Sequence, residues 1–216
     1  MPVLQDMRVL ELLASRICHD LISPVGAINN GLELMTEMGD QVGEEATKLI
    51  GHSAEQAARR LRLFRVCYGA AGADPNMSCD DVLITAREFL NGSRVSINWP
   101  SPQVNGLLDA PLGFAKVLLN MVLIAAENMV HGGTIEVTPH IAERKMLITA
   151  NGRGAGQRTE AWAPLQNGVP VADLTPRSIH PHVTGRLADH YGLFLSWSQP
   201  GEDQLTLGVS YPAQGD

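Results

Sequence analysis

His19 and Asp20 are adjacent in the run Leu13-Ala14-Ser15-Arg16-Ile17-Cys18-His19-Asp20-Leu21-Ile22-Ser23-Pro24-Val25, which carries most of the chemical content of the chain. An imidazole in water titrates near neutrality, so much of it is unprotonated at cellular pH and its free Nε2 can attack an electrophilic phosphorus. Asp20 can orient the ring or take a proton, as carboxylates do for activated nucleophiles. Pro24, one turn further on, deletes the helical hydrogen bond to the Asp20 carbonyl and bends the helix, which costs roughly 3 kcal/mol or more in an ordinary helix interior. A bend beside a nucleophile suits a site that uses it. The plain alternative is a surface histidine in a helix that happens to contain proline.

The surrounding elements must present this pair. Leu10, Ala14, Ile17, Leu21, Pro24, Ile28, Gly31, Met35 and Met38 recur in steps of four and three, drawing an apolar or small seam along one helix. His19 lies about 160° round the helical wheel from both Ile17 and Leu21, on a stripe with Ser15, Ser23, Gly26 and Asn30. It is therefore predicted to face away from the seam. Gly39-Asp40-Gln41-Val42-Gly43 ends the helix, and a second is predicted from about Glu44 to Tyr68. Two long helices joined by a short loop form an antiparallel hairpin. A lone hairpin leaves apolar surface in water, and pairing two as a four-helix bundle covers it, so a homodimer is expected.

Residues 69–77 read as a linker, dividing the chain into a helical domain, 1–72, that would dimerise and present His19, and an α/β domain, 73–216. In the second, helices predicted at about 78–90, 111–130 and 181–190 alternate with strands at about 95–99, 134–140, 145–150, 193–198 and 204–209. The fold class is α+β, with the helices on one face of the sheet.

His19-Asp20-Leu21-Ile22-Ser23-Pro24 resembles the histidine box of sensor histidine kinases, in which histidine, an acidic residue, leucine and a later proline recur at this spacing. The longer string Cys18-His19-Asp20-Leu21-Ile22-Ser23-Pro24-Val25-Gly26-Ala27-Ile28-Asn29-Asn30-Gly31-Leu32-Glu33-Leu34 is similar to the ChpT family of bacterial histidine phosphotransferases. That resemblance implies a dimer in which each protomer adds a hairpin to a four-helix bundle and carries a histidine-kinase-like α/β sandwich. It implies that His19, assisted by Asp20, accepts a phosphoryl group from the receiver domain of a hybrid histidine kinase and passes it to response-regulator receiver domains. The receiver would bring the aspartate and the Mg²⁺, so no cofactor and no metal of the chain's own is expected. Ile22 and Gly26 would meet the receiver with an apolar contact and room for close approach, and Ser23 and Asn30 share their stripe. Arg16 could attract phosphate or a receiver carboxylate, or simply be solvated.

If the second half resembles a kinase ATP domain, its nucleotide boxes have been lost. Val117 to Ala126 looks like the asparagine box around Asn120, but the magnesium-holding asparagine four residues later is Ile124, and an alkyl group cannot ligate a hard cation. Ile148-Thr149-Ala150-Asn151-Gly152-Arg153-Gly154 looks like the adenine-binding strand and turn with Ala150 in place of its aspartate. Ser178-Ile179-His180-Pro181-His182-Val183-Thr184 stands where a second glycine-rich box belongs. Autokinase activity is therefore not expected. Asn120 reads as a capped or bridging polar residue.

The remaining features narrow the function further. A formal charge of −7 gains nothing from counterion release, which argues against nucleic acid as a partner. The longest apolar run, Val117 to Ala126, is interrupted by Asn120 and too short to cross a bilayer. The beginning of the chain lacks a basic start followed by an apolar stretch, and Cys18, Cys67 and Cys79 read as three reduced thiols, so a cytoplasmic protein without membrane attachment is expected. Arg59-Arg60-Leu61-Arg62-Leu63-Phe64-Arg65 reads as a solvated helix face or the border of a docking surface for acidic receivers. His52, His131, His140, His180, His182 and His190 lack metal-ligand spacing and read as surface or capping residues. Two rival functions are a non-catalytic dimeric adaptor and a metal-dependent HD-type phosphohydrolase using His19-Asp20 as its dyad. The latter needs further histidines and an aspartate on neighbouring helices, which His52 alone supplies poorly.

Overall fold

The computed structural model describes residues 2–38, 43–99, 110–157 and 161–212. Two long helices, α1 (Pro2–Met38) and α2 (Gly43–Cys67), form the hairpin. They run antiparallel: Gly31 of α1 lies against Ile50 of α2, and Asp20 lies against Arg60. A Cβ on Gly31 would meet Ile50 Cγ1 at 2.6 Å, so the absence of a side chain lets the helices approach closely there.

After a 3₁₀ turn at Ala70–Ala73, Ser78 caps α3 (Cys79–Leu90). The Ser78 side chain accepts from the Asp81 amide and the Asp81 carboxylate accepts from the Ser78 amide, a reciprocal cap. The rest of the chain forms β1 (Val95–Asn98), α4 (Phe114–Asn128), β2 (Gly133–His140), β3 (Lys145–Asn151), the short α5 (Trp162–Leu165), α6 (Ile179–His190), β4 (Phe194–Gly201) and β5 (Gln204–Ser210). The sheet order is β1-β2-β3-β5-β4. β1 and β2 are parallel because α4 crosses between them, and every other pair is antiparallel. The predicted strands and principal helices are present to within a few residues. α5 and the 3₁₀ turns at Ile141–Glu143 and Val171–Asp173 are additions.

The sheet buries one face. Ile135 and Val137 of β2 and Met146, Ile148 and Ala150 of β3 alternate with more exposed neighbours, and the register aligns them in cross-strand rows with the buried Leu205, Leu207 and Val209 of β5. α4 is apolar nearly all round and almost wholly buried, as a helix enclosed by other elements must be. The core does not stop at the predicted boundary after residue 72. Leu63, Val66 and Cys67 from the end of α2 belong to the same cluster as α3, α4 and the sheet. Leu12 of α1 packs in a second cluster with Leu174 and Ile179. The hairpin is thus seated on the α/β domain at two places.

Candidate active site

The middle of α1 carries the site. The helix continues through Pro24, which is buried, while His19 points into solvent with 88% of its side chain exposed. Its Nδ1 is 3.3 Å from Asp20 Oδ1. A proton on Nδ1 donated to that carboxylate leaves the Nε2 lone pair free and outward-facing. Ile22 is 69% exposed, Ser23 and Asn30 are exposed, and a Cβ built on Gly26 would meet nothing within 4 Å. The structure therefore brings His19, Asp20, Ile22, Ser23, Gly26 and Asn30 onto one open stretch of α1.

Arg16 departs from the expectation of a free docking charge. Its guanidinium pairs with the Glu127 carboxylate at the end of α4, and only 17% of the side chain is exposed. Burial opposes the arginine charge, but Glu127, with smaller contributions from Tyr68 and Asp20, more than offsets this and raises the group above its ordinary value. His180 also corrects the sequence reading, because it is completely buried instead of lying at the surface. Its Nδ1 lies 3.2 Å from Glu127 Oε1 and its Nε2 3.0 Å from Asn120 Oδ1. His182 is buried as well. Asn120 bridges as expected, its Nδ2 donating to the Lys116 carbonyl at 2.8 Å and to the Cys67 carbonyl at 3.2 Å. Those two bonds fix the amide orientation, so Nε2 of His180 faces the acceptor oxygen of Asn120, while Nδ1 faces Glu127 with the Arg16 guanidinium also 3.5 Å away.

Glu127 joins the two halves electrostatically. Burial by itself would raise its carboxyl, but His180 and Arg16 beside it hold it down to about 2. Tyr68 stands edge-on to the His180 ring at 6.0 Å, and burial pushes its hydroxyl well above the usual tyrosine range. No periodicity announced Glu127 or His180, since their partners lie more than fifty residues away in sequence. Arg60, read in the sequence as part of a solvated face or docking border, makes a contact that its run does not announce. Its guanidinium donates to the Asp20 main-chain carbonyl, the acceptor that Pro24 leaves without a helical partner.

The segments that resemble nucleotide boxes contribute to the packing of the α/β domain. Ile124 and Ala150 are buried, and the segment in place of the second glycine box delivers His180 onto Asn120. Among the described residues no three His, Cys, Asp or Glu side chains gather to hold a metal, so nothing joins His19 and Asp20 as the HD-type reading requires. No helix among them is long and apolar enough to cross a membrane.

Residues 80–203 match the family model of the histidine phosphotransferase C-terminal domain. The protein phosphotransferase ChpT of Brucella abortus (strain 2308) is 36% identical over 195 residues, spanning 89% of this chain and 90% of that protein. A bacterial phosphotransferase of known structure superposes with a TM-score of 0.75 at 29% identity, covering 94% of this chain and 96% of its own. The family model stops short of α1 and α2, whereas the similarity to the Brucella protein extends well into the hairpin. Matched through its α/β domain by that model and along nearly its whole length by a phosphotransferase, the chain belongs to the ChpT family of bacterial histidine phosphotransferases.

Proposed function

We propose that His19 is the phosphoacceptor of a phosphorelay, taking the phosphoryl group from a receiver-domain aspartate and returning it to the aspartate of a response regulator. The observation that carries this is the outward Nε2 of a nearly fully exposed imidazole whose Nδ1 faces Asp20. In the forward step Nε2 attacks phosphorus, the P–N bond forms as the P–O bond to the receiver carboxylate breaks, and the Asp20 carboxylate steadies the charge on the ring. Both species are high-energy, so the protein's share of the work is alignment.

The open stretch from Ile22 to Asn30 supports receiver docking over His19, with Arg16 excluded because Glu127 occupies it. Mg²⁺ belongs to the receiver in this reading, and ATP has no place: the Asn120 amide is spent on main-chain carbonyls and His180. A homodimer is supported by the ends of the α1 seam, where Leu10, Met35 and Met38 remain exposed in the single chain. Three free thiols are in keeping with a cytoplasmic setting. His19→Gln tests the central assignment: phosphoryl transfer from a phosphorylated receiver should vanish while fold and assembly persist. Retained labelling would overturn it.

A further inference from the structure

Pro24 creates a deficit that the fold repairs in one particular way. A helical residue at position 24 would donate its amide to the Asp20 carbonyl, and proline has none to give. An acceptor inside a packed hairpin left without a donor would carry a desolvation cost. The Arg60 guanidinium, from the neighbouring α2, donates to that carbonyl. Its neighbours in the basic run do something different: Arg59 pairs with Glu55 and Arg62 with Glu88, both carboxylate partners. Arg60 is the member of the run that crosses to α1 and binds its main chain. The carbonyl it holds belongs to Asp20, whose carboxylate faces Nδ1 of His19. Moving this peptide would move the carboxylate and, with it, the tautomer and direction of the imidazole.

We propose that Arg60 is a positioning residue for phosphotransfer, supplying to the Asp20 carbonyl the hydrogen bond that Pro24 cannot give and thereby fixing the turn that presents His19. This rests on the reading of His19 as phosphoacceptor. Arg60 and Pro24 then form a functional pair: the proline opens a gap in the ladder of α1 and the arginine closes it from α2. The arginine matters because the proline is there. In a Pro24→Ala chain, the helix satisfies the carbonyl itself and Arg60 becomes dispensable.

The test is a double-mutant cycle with Arg60→Met and Pro24→Ala in the full-length chain. The probe is a receiver domain selected from a purified panel for transfer to the wild-type chain and charged with radiolabelled acetyl phosphate. Single-turnover transfer is followed at several receiver concentrations, with circular dichroism verifying the fold. Arg60→Met should lower the maximal rate about tenfold where Pro24 is present and less than about threefold in the Pro24→Ala background. The receiver concentration giving half-maximal rate should stay unchanged. An equal loss in both backgrounds would overturn the proposal. So would a loss confined to the half-saturating concentration, which would make Arg60 a docking charge. Should Arg60→Met fail to fold, the same pairing is read in stability: the double variant should fold, and a double variant as unfolded as the single would overturn the proposal. The functional reading fails separately, through a wild-type chain that takes no label from any receiver or takes it at a residue other than His19.

Discussion

Replacing Glu127 by glutamine tests the ionic contact that seats the hairpin on the α/β domain. Glutamine keeps the size and the hydrogen-bonding oxygen but removes the charge that Arg16 and His180 face. A carboxyl held at about 2, against an ordinary 4.5, stabilises the folded state above the ordinary carboxylate range and loses that contribution as the pH falls toward 2. A shift of that size, fully shielded, corresponds to about 3 kcal/mol. The side chain is 40% exposed, and solvent screening reduces the expected contribution to roughly 1–2 kcal/mol. Urea unfolding followed by circular dichroism at pH 6 and at pH 3, with protein concentration held fixed, reads this directly. Because a carboxyl held near 2 is still mostly ionised at pH 3, the wild-type chain should lose about 1 kcal/mol more than Glu127→Gln between those two pH values. Equal losses in the two proteins would refute the argument that Glu127 is ionised within an inter-element cluster, and with it the assignment of Arg16 to that cluster.

Two further outcomes are expected. Leu10→Asp combined with Met35→Asp places charges on side chains that are exposed in the single chain, so it should leave the fold intact while weakening self-association about a hundredfold. Sedimentation equilibrium checks this, and an undisturbed dimer would place the interface elsewhere. Titration calorimetry with ATP and Mg²⁺ should detect no binding in the wild-type chain or in Ala150→Asp, because restoring one polar group leaves Ile124 and the Asn120–His180 contact in place. A micromolar dissociation constant for either protein would refute that reading.

The elements of this fold were legible where their signals are local. The change from one long helical pattern to alternating helices and strands beyond the linker, and the position of His19 opposite Ile17 and Leu21, are each carried by residues close together in the sequence. The seam was legible only in part. Pro24 and Gly31 are buried and Ile17, Leu21 and Ile28 half-buried, whereas Leu10, Met35 and Met38 lie open. A strict seven-residue repeat drifts about 20° per heptad against a straight helix, so over the four heptads from Leu10 to Met38 one row cannot face one neighbour throughout. The face of His19 was placed correctly because its reference residues sit in the middle of the seam, where the drift is smallest. His180 and Arg60 were read as surface residues for a different reason. What settles each is a through-space partner, Asn120 and Glu127 for the one and a main-chain carbonyl of another helix for the other, and no spacing within their own segments encodes it.

These contacts divide α1 by function along its length. Leu12 and Arg16 hold the α/β domain, through Leu174 and Ile179 in one case and Glu127 in the other. Pro24 and Gly31 look inward, with Gly31 against Ile50 and the proline's deficit met by Arg60. His19, Ile22, Ser23, Gly26 and Asn30 are left facing water. Arg16 is only one turn from His19, about 60° round the helix, so the α/β domain borders the acceptor on the N-terminal side. On the proposed reading, a partner that reaches Nε2 approaches over the exposed stretch from Ile22 to Asn30. A substitution at Arg16 would change transfer by loosening the α/β domain, and its effect would follow that of Glu127→Gln. One at Ile22 would change it by weakening the encounter, and its effect would follow receiver concentration. Those different dependences distinguish a side chain that seats the domain from one that meets the partner.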